Sequence, residues 1–180
     1  MSTQIEPLLT VADIETMPED GNRYEVIEGE IFVSKAPSLT HQRVSARLTA
    51  SFEIFLEETS IGVIWPGPGV IFSEISGVIP DIVYVSNERL SEVASGERIT
   101  GAPDLVIEIV SPGADNEQRD RVAKRQLYAK YGVKEYWLVY LSRRNVEVYV
   151  LRKNSLALHV TCGEGDLLVS SLLPGFSCKV

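Results

Sequence analysis

The sequence predicts a mixed α/β fold, of the α+β mixed-sheet kind: a central mixed β-sheet flanked by helices, with a β-hairpin at the N-terminal end. Three observations carry this. Residues 23 to 34, RYEVIEGEIFVS, alternate around Glu28-Gly29, which is the pattern of a hairpin with glycine at the turn. Two stretches repeat apolar residues at helical spacing, and short β-branched runs separate and follow them.

In chain order, the hairpin comes first. After the polar KAPSLT, HQRVSARLTASFEIFLEE places Val44, Leu48, Phe52 and Phe55 on one stripe of an amphipathic helix, with His41 on that stripe at the first turn. IGVIWPGPGVIFSE and GVIPDIVYVS follow, a polar loop runs to residue 101, and PDLVIEIVS then completes a set of three strands. Asp115 with Gln118 makes a capping-box pattern and Gly132 suits a helix C′ position, which predicts a helix over about 116 to 131. EYWLVYL and NVEVYVL flank SRRN as a strand pair, and the turn-rich tail from 156 is expected to add one short strand and loops. No linker, repeat or low-complexity segment interrupts the chain, so residues 1–180 are expected to form a single domain.

Composition narrows the function. The chain has 180 residues, 44% of them hydrophobic, yet no apolar run approaches the ~18 residues of a membrane span. Its first residues are acidic where a signal peptide would be basic and then apolar, so the expected location is cytoplasmic. Cys162 and Cys178 have neither disulfide-framework nor zinc-site spacing. There is no phosphate-binding loop, since the GPG near residue 68 has no helix signal after it. A net charge of −8 argues against sequence-independent docking on a phosphate backbone, so any nucleic-acid role needs a local basic patch or a bound cation.

Two charges sit where burial costs most. On a helical wheel Lys124 falls in the middle of the apolar arc formed by Ala123, Leu127, Tyr128 and Tyr131, while Arg121, Arg125, Gln126 and Lys130 lie outside it. Lys124 either snorkels past its neighbours to water or serves a buried partner. In PDLVIEIV, Asp104, Val106, Glu108 and Val110 point one way and Leu105, Ile107 and Ile109 the other, a pattern for a strand covered on both faces. Glu108 therefore needs a partner, because an unpaired buried carboxylate costs several kcal/mol. A structural Glu108–Lys124 ion pair would satisfy both, although such pairs rarely stabilise relative to apolar residues of the same volume; a functional site is the competing explanation. Asp81, directly after Pro80 at the start of another apolar strand, adds a third charge. Two carboxylates from adjacent strands can hold a hard divalent cation, and a lysine beside them can stabilise charge developing on a phosphate or orient a water.

This order of elements, with the segments YEVIEGE, HQRVSARL, PDIVYVS, GAPDLVIEIVSP, YAKYGVKEYWLV and LLPGF, resembles the Uma2 family of restriction-endonuclease-like proteins, assigned to the PD-(D/E)XK nuclease superfamily. The resemblance covers roughly residues 8 to 178 and implies a restriction-endonuclease-like core. Pro80-Asp81 matches the superfamily's PD, and Glu108-Ile109-Val110 matches its (D/E)XK with Val110 in the lysine's place. It further implies that the lysine is supplied by the following helix, as Lys124, with Asp81 and Glu108 holding Mg²⁺ (or Mn²⁺) and Glu25 completing the metal site. His41, Asp120 and Tyr128 are accessory candidates. Tyr140 departs from the family's frequent WLVD ending, a change with no mechanistic reading.

The resemblance implies nucleic acid, as DNA, for the partner. The expected phosphate contacts are Arg43 and Arg47 on the first helix and Arg119, Arg121 and Arg125 on or near the outward side of the second. Two readings follow. One is a metal-dependent endonuclease acting on DNA. The other is a catalytically inactive nucleic-acid- or protein-binding module that retains the nuclease fold, favoured by Val110 and the acidic balance. A homodimer is compatible with an exposed edge strand.

Overall fold

The computed structural model describes residues 8–110 and 117–180. It opens with a helical turn, α1 (Val11–Glu15), which the sequence pattern did not suggest; Thr10 and Asp13 cap it reciprocally. Strands β1 (Arg23–Ile27) and β2 (Glu30–Ser34) form the expected hairpin. Its two turn residues, Glu28 and Gly29, have φ of 52° and 84°, the left-handed pair that matches the twist of the flanking strands. A Cβ on Gly29 would also come within 2.6 Å of Leu8, so glycine is required there twice over. Helix α2 (Leu39–Thr59) follows, with the Ser38 side chain accepting from the His41 N–H at its start.

The two apolar runs after α2 each divide in two. Gly67, at φ 64°, separates β3 (Gly62–Pro66) from β4 (Val70–Ser73), and Pro80 stands between β5 (Ser76–Val78) and β6 (Ile82–Ser86). The polar stretch expected to be a loop instead holds α3 (Asn87–Val93) and a small hairpin, β7 (Ala94–Ser95) and β8 (Arg98–Thr100). Strand β9 (Leu105–Val110) leads across to a π-helical turn, Arg119–Lys124, and α4 (Arg125–Tyr131), which ends at left-handed Gly132 as predicted. The predicted cap at Asp115 lies outside the described residues. Strand β10 (Glu135–Tyr140) returns parallel to β9 and is followed by β11 (Asn145–Arg152). The tail is more ordered than its turn-rich composition suggested: β12 (Ser155–Gly163) is a full sheet strand, and β13 (Leu167–Val169) pairs with β14 (Ser177–Lys179).

The strands form a mixed central sheet, ordered β12-β11-β10-β9-β6-β3, and a second sheet ordered β2-β1-β5-β4-β8-β7. Strand β9 is buried along its whole length, and its alternation divides the core as predicted. Leu105, Ile107 and Ile109 pack with Phe52 and Leu56 of α2 and with Trp137. Val106 and Val110 pack with Leu127 and Tyr128 of α4 and with Val70 and Val78 of the second sheet. Phe52 also stacks on Phe176, ring centroids 4.1 Å apart, which ties the LLPGF segment to α2. Ahead of β9, the Asp104 carboxylate accepts from Lys134 Nζ at 2.7 Å, Arg89 Nη1 at 3.2 Å and the Ser86 N–H at 2.9 Å, joining the ends of β6, β9 and β10. Among the described residues no helix is long and apolar enough to cross a membrane.

Candidate active site

Glu108 is the only charged residue within β9, and it faces α4 and the second sheet. Its Oε1 accepts from Lys124 Nζ at 3.0 Å and from the Tyr128 hydroxyl at 2.7 Å. Lys124 reaches it from the π-helical turn, a geometry that in proteins often marks a functional segment. The same ammonium lies 2.8 Å from Glu25 Oε1, on β1 of the second sheet, and 4.0 Å from Asp120 Oδ1. Glu25 Oε1 is held in turn by the Ile79 N–H at 2.8 Å. Asp81 enters from the residue ahead of β6: its Oδ2 accepts from the Ile109 N–H at 2.8 Å and meets His41 Nε2 at 3.0 Å, while its Oδ1 lies 3.3 Å from Arg23 Nη1. Lys124, Glu108 and Glu25 are each at most 3% exposed. Asp81, Glu108, Glu25, His41, Asp120 and Lys124 all line one cavity of about 410 Å³.

The charges within this cluster are unequal. Burial, and then the neighbouring carboxylates, push Glu108 up to about 8 against the pull of Lys124. Burial likewise raises Asp120, with Lys124 and Arg119 opposing. Burial alone would lower Lys124, but Glu108, Glu25 and Asp120 hold the ammonium above the ordinary lysine range. Burial would raise Asp81, but His41 and the Ile109 N–H outweigh it and hold the carboxyl below the usual range. Burial, helped by the neighbouring carboxylates, thus strengthens proton binding at Glu108 while Asp81 stays ionised. An incoming cation would compete directly with that proton.

Of the residues singled out from the sequence, Asp81, Glu108, Lys124, Glu25, His41, Asp120 and Tyr128 are brought together. Arg43 and Arg47 are exposed on α2 and do not line this cavity. Arg121 is also outside the cavity, 4.0 Å from Glu147, and Arg125 lies over the Tyr149 ring. Arg119 is a correction: it was expected to face outward, yet its side chain lines the cavity and donates from Nε to Asp120 Oδ1 at 2.9 Å. The reason is the π turn, which sets residues five apart, here Arg119 and Lys124, on a common side where an α-helix would separate them. Arg23 was missed. Its signal was available, because strand alternation puts it on the same side of β1 as Glu25. Tyr140, which had no reading, donates its hydroxyl to Glu147 Oε2 at 3.2 Å.

Among the described residues, no group of three or more His, Cys, Asp or Glu side chains stands arranged to hold a metal ion. Glu25 Oε1 is taken up by Lys124 and by a backbone N–H. The donor chemistry at the other two carboxylates does suit a hard cation. Among the described residues, Asp81 Oδ1 has only the long contact from Arg23 and no donor reaches Glu108 Oε2. One oxygen on each is therefore available beside the cavity.

A family model, Uma2, described as "Putative restriction endonuclease", matches residues 11–180. The chain is also similar to a solved structure described as "Crystal structure of a putative nuclease belonging to DUF820 from Anabaena variabilis", with 22% sequence identity, a TM-score of 0.76 and coverage of 95% of this chain and 94% of that one. At this identity the likeness is one of fold. No curated protein matches the chain.

Proposed function

The chain belongs to the Uma2 family, and from that membership we propose that it is a metal-dependent endonuclease hydrolysing phosphodiester bonds in DNA. The observation that carries this reading is the position of Lys124. It arrives from the helix, 3.0 Å from Glu108, in the cavity that Asp81 shares, although the strand offers Val110 where the superfamily has its lysine. Asp81 and Glu108 would hold Mg²⁺ or Mn²⁺, which when bound supplies Lewis acidity at the phosphate and a more acidic water. The protein's own residues do the positioning. The Ile109 N–H and His41 fix the Asp81 carboxylate, and the Tyr128 hydroxyl fixes Glu108. The Lys124 ammonium stabilises negative charge developing on the phosphate oxygens as water attacks in line and the ester oxygen departs. Arg119 adds a second cation at the same wall.

A second reading, a binding module without activity, is favoured by the net charge of −8 and by Val110, which is buried in the core. A cleavage assay with Mg²⁺ and Mn²⁺ on plasmid, linear and single-stranded DNA separates the two. The nuclease reading expects cation-dependent cleavage and a rise in melting temperature with the same cations, because a ligand bound only by the folded state stabilises it. No cleavage of any substrate would favour the binding module.

A further inference from the structure

Beside the candidate active site lies a second cavity, of about 530 Å³, between α2 and the ends of β10 and β11. Val44, Leu48, Val146 and Leu168 give it an apolar wall, and its volume is in the range of small-molecule sites. The two cavities flank the first turns of α2. Thr40 lines this one and His41 the other; Val139 lines this one and pairs in register with Ile109, which lines the other. Both therefore open at the carboxyl ends of the parallel pair β9 and β10, where open α/β sheets bind their ligands.

Among the described residues, cations without a carboxylate partner stand beside both cavities. Arg23, Arg89, Arg98, Arg119 and Arg144 are all held in ion pairs. Arg47 and Lys179 on the second cavity, Lys35 on the first, and exposed Arg43 on α2 have no such carboxylate partner among the described residues. Two of these cations thus line the second cavity and one the active-site cavity. Asn145 also lines the second cavity, with its Oδ1 turned out of contact with solvent and without a hydrogen-bond partner among the described residues.

We propose that this second cavity binds the base of one unpaired nucleotide, in a strand whose scissile phosphate occupies the active-site cavity. The proposal rests on the nuclease reading and adds a preference for single-stranded or locally opened substrate. A nucleobase has apolar faces for the aliphatic wall and a polar edge for the Thr40 and Ser51 side chains that line the same cavity. Its strand carries repeated negative charges for Lys35, Arg43, Arg47 and Lys179, which a singly charged amphipathic anion does not. A paired and stacked base cannot reach such a wall without leaving the duplex.

The test measures affinity, in chelator so that no metal-dependent cleavage occurs, for a fluorescent oligothymidylate and for a duplex of the same length. The single strand is expected to bind more tightly. Val44→Trp, which fills the cavity without changing charge, is expected to reduce the ratio of single-strand to duplex affinity by about tenfold, or about 1.4 kcal/mol. Lys179→Gln, at an exposed position that cannot unfold the core, is expected to weaken single-strand binding and reduce its salt slope by about one. An unchanged ratio in a folded Val44→Trp protein together with an unchanged slope in Lys179→Gln overturns the proposal, as does decanoate displacing nothing from the oligonucleotide complex while itself binding in the cavity. Cleavage with an unaltered affinity ratio would defeat this assignment alone; affinities that behave as stated without any cleavage would defeat the nuclease reading alone.

Discussion

Lys124→Met keeps most of the side chain's packing beside Ala123, Leu127 and Tyr128 and deletes its charge. The ammonium is 2% exposed and stands 2.8 Å from Glu25 Oε1 and 3.0 Å from Glu108 Oε1. At an effective dielectric of about 20, a contact near 3 Å carries about 5 kcal/mol of gross attraction. Breaking a buried pair by removing one partner costs about 3–5 kcal/mol net, since the remaining charge stays desolvated. That loss should depend on pH. Glu108 binds its proton more tightly in the folded state, up to about 8, than a carboxyl in the unfolded chain, so its contribution favours the fold in acid and is lost as pH rises through that value. Without Lys124 the protonated form is favoured further, and neutral Glu108 needs no cation. Melts in metal-free buffer should therefore show a smaller deficit at about pH 6 than at about pH 9. Cleavage with Mg²⁺ should fall by about 10²–10³-fold, the usual loss for one preorganised charge-stabilising donor. Normal cleavage by the variant would refute the catalytic role of Lys124, and a deficit independent of pH would refute the coupling to Glu108.

Asp81→Asn and Glu108→Gln should each weaken Mn²⁺ binding by titration calorimetry, and Glu108→Gln should melt no lower than the parent protein above about pH 8, where burial penalises the carboxylate. Unchanged affinity in both would remove them from the metal site. Charge reversal at Arg121 and Arg125 should lower DNA affinity and reduce the salt slope by about one for each phosphate no longer neutralised; an unaltered slope would place the duplex elsewhere. Asp104→Asn should cost about 1–3 kcal/mol at neutral pH by removing the charge that Lys134 and Arg89 pair with and putting an amide NH₂ in place of one of its two acceptor oxygens. Burial raises the Asp104 carboxyl, but those partners hold it below the ordinary range, so its contribution is present above about pH 4 and disappears as pH falls through the lower folded value. The melting curves of parent and variant should converge in acid.

What was legible in the sequence was local. Alternation in β9 identified Glu108 as buried and assigned both faces correctly, and the stripe through Leu127, Tyr128 and Tyr131 was enough to turn Lys124 inward. Glu25 could not be found this way: nothing in a surface hairpin pattern says that β1 joins a second sheet facing Lys124, and only the family resemblance brought it in. The Arg23–Asp81 and His41–Asp81 contacts join residues far apart in sequence, which no periodicity records. Arg119 was misplaced because a wheel assumes α-helical geometry throughout. Strand β12 was underestimated because Leu158 and Val160 remain exposed at the sheet edge, which blurs the alternation of a half-buried strand. Helix α3 has only seven residues, too few for a stripe to stand out.

The π-helical turn also affects how the site can change by insertion and deletion. Such a turn holds one residue more than an α-helix needs between the same endpoints. Removing one residue at Val122, which is 41% exposed, would let the segment relax to α geometry while Leu127 and Tyr128 keep α4 in place. Lys124 would remain against Glu108, and Arg119 would swing out of the cavity. At this point in the chain, a change of length alone can add or withdraw a guanidinium from the site without replacing any residue in it.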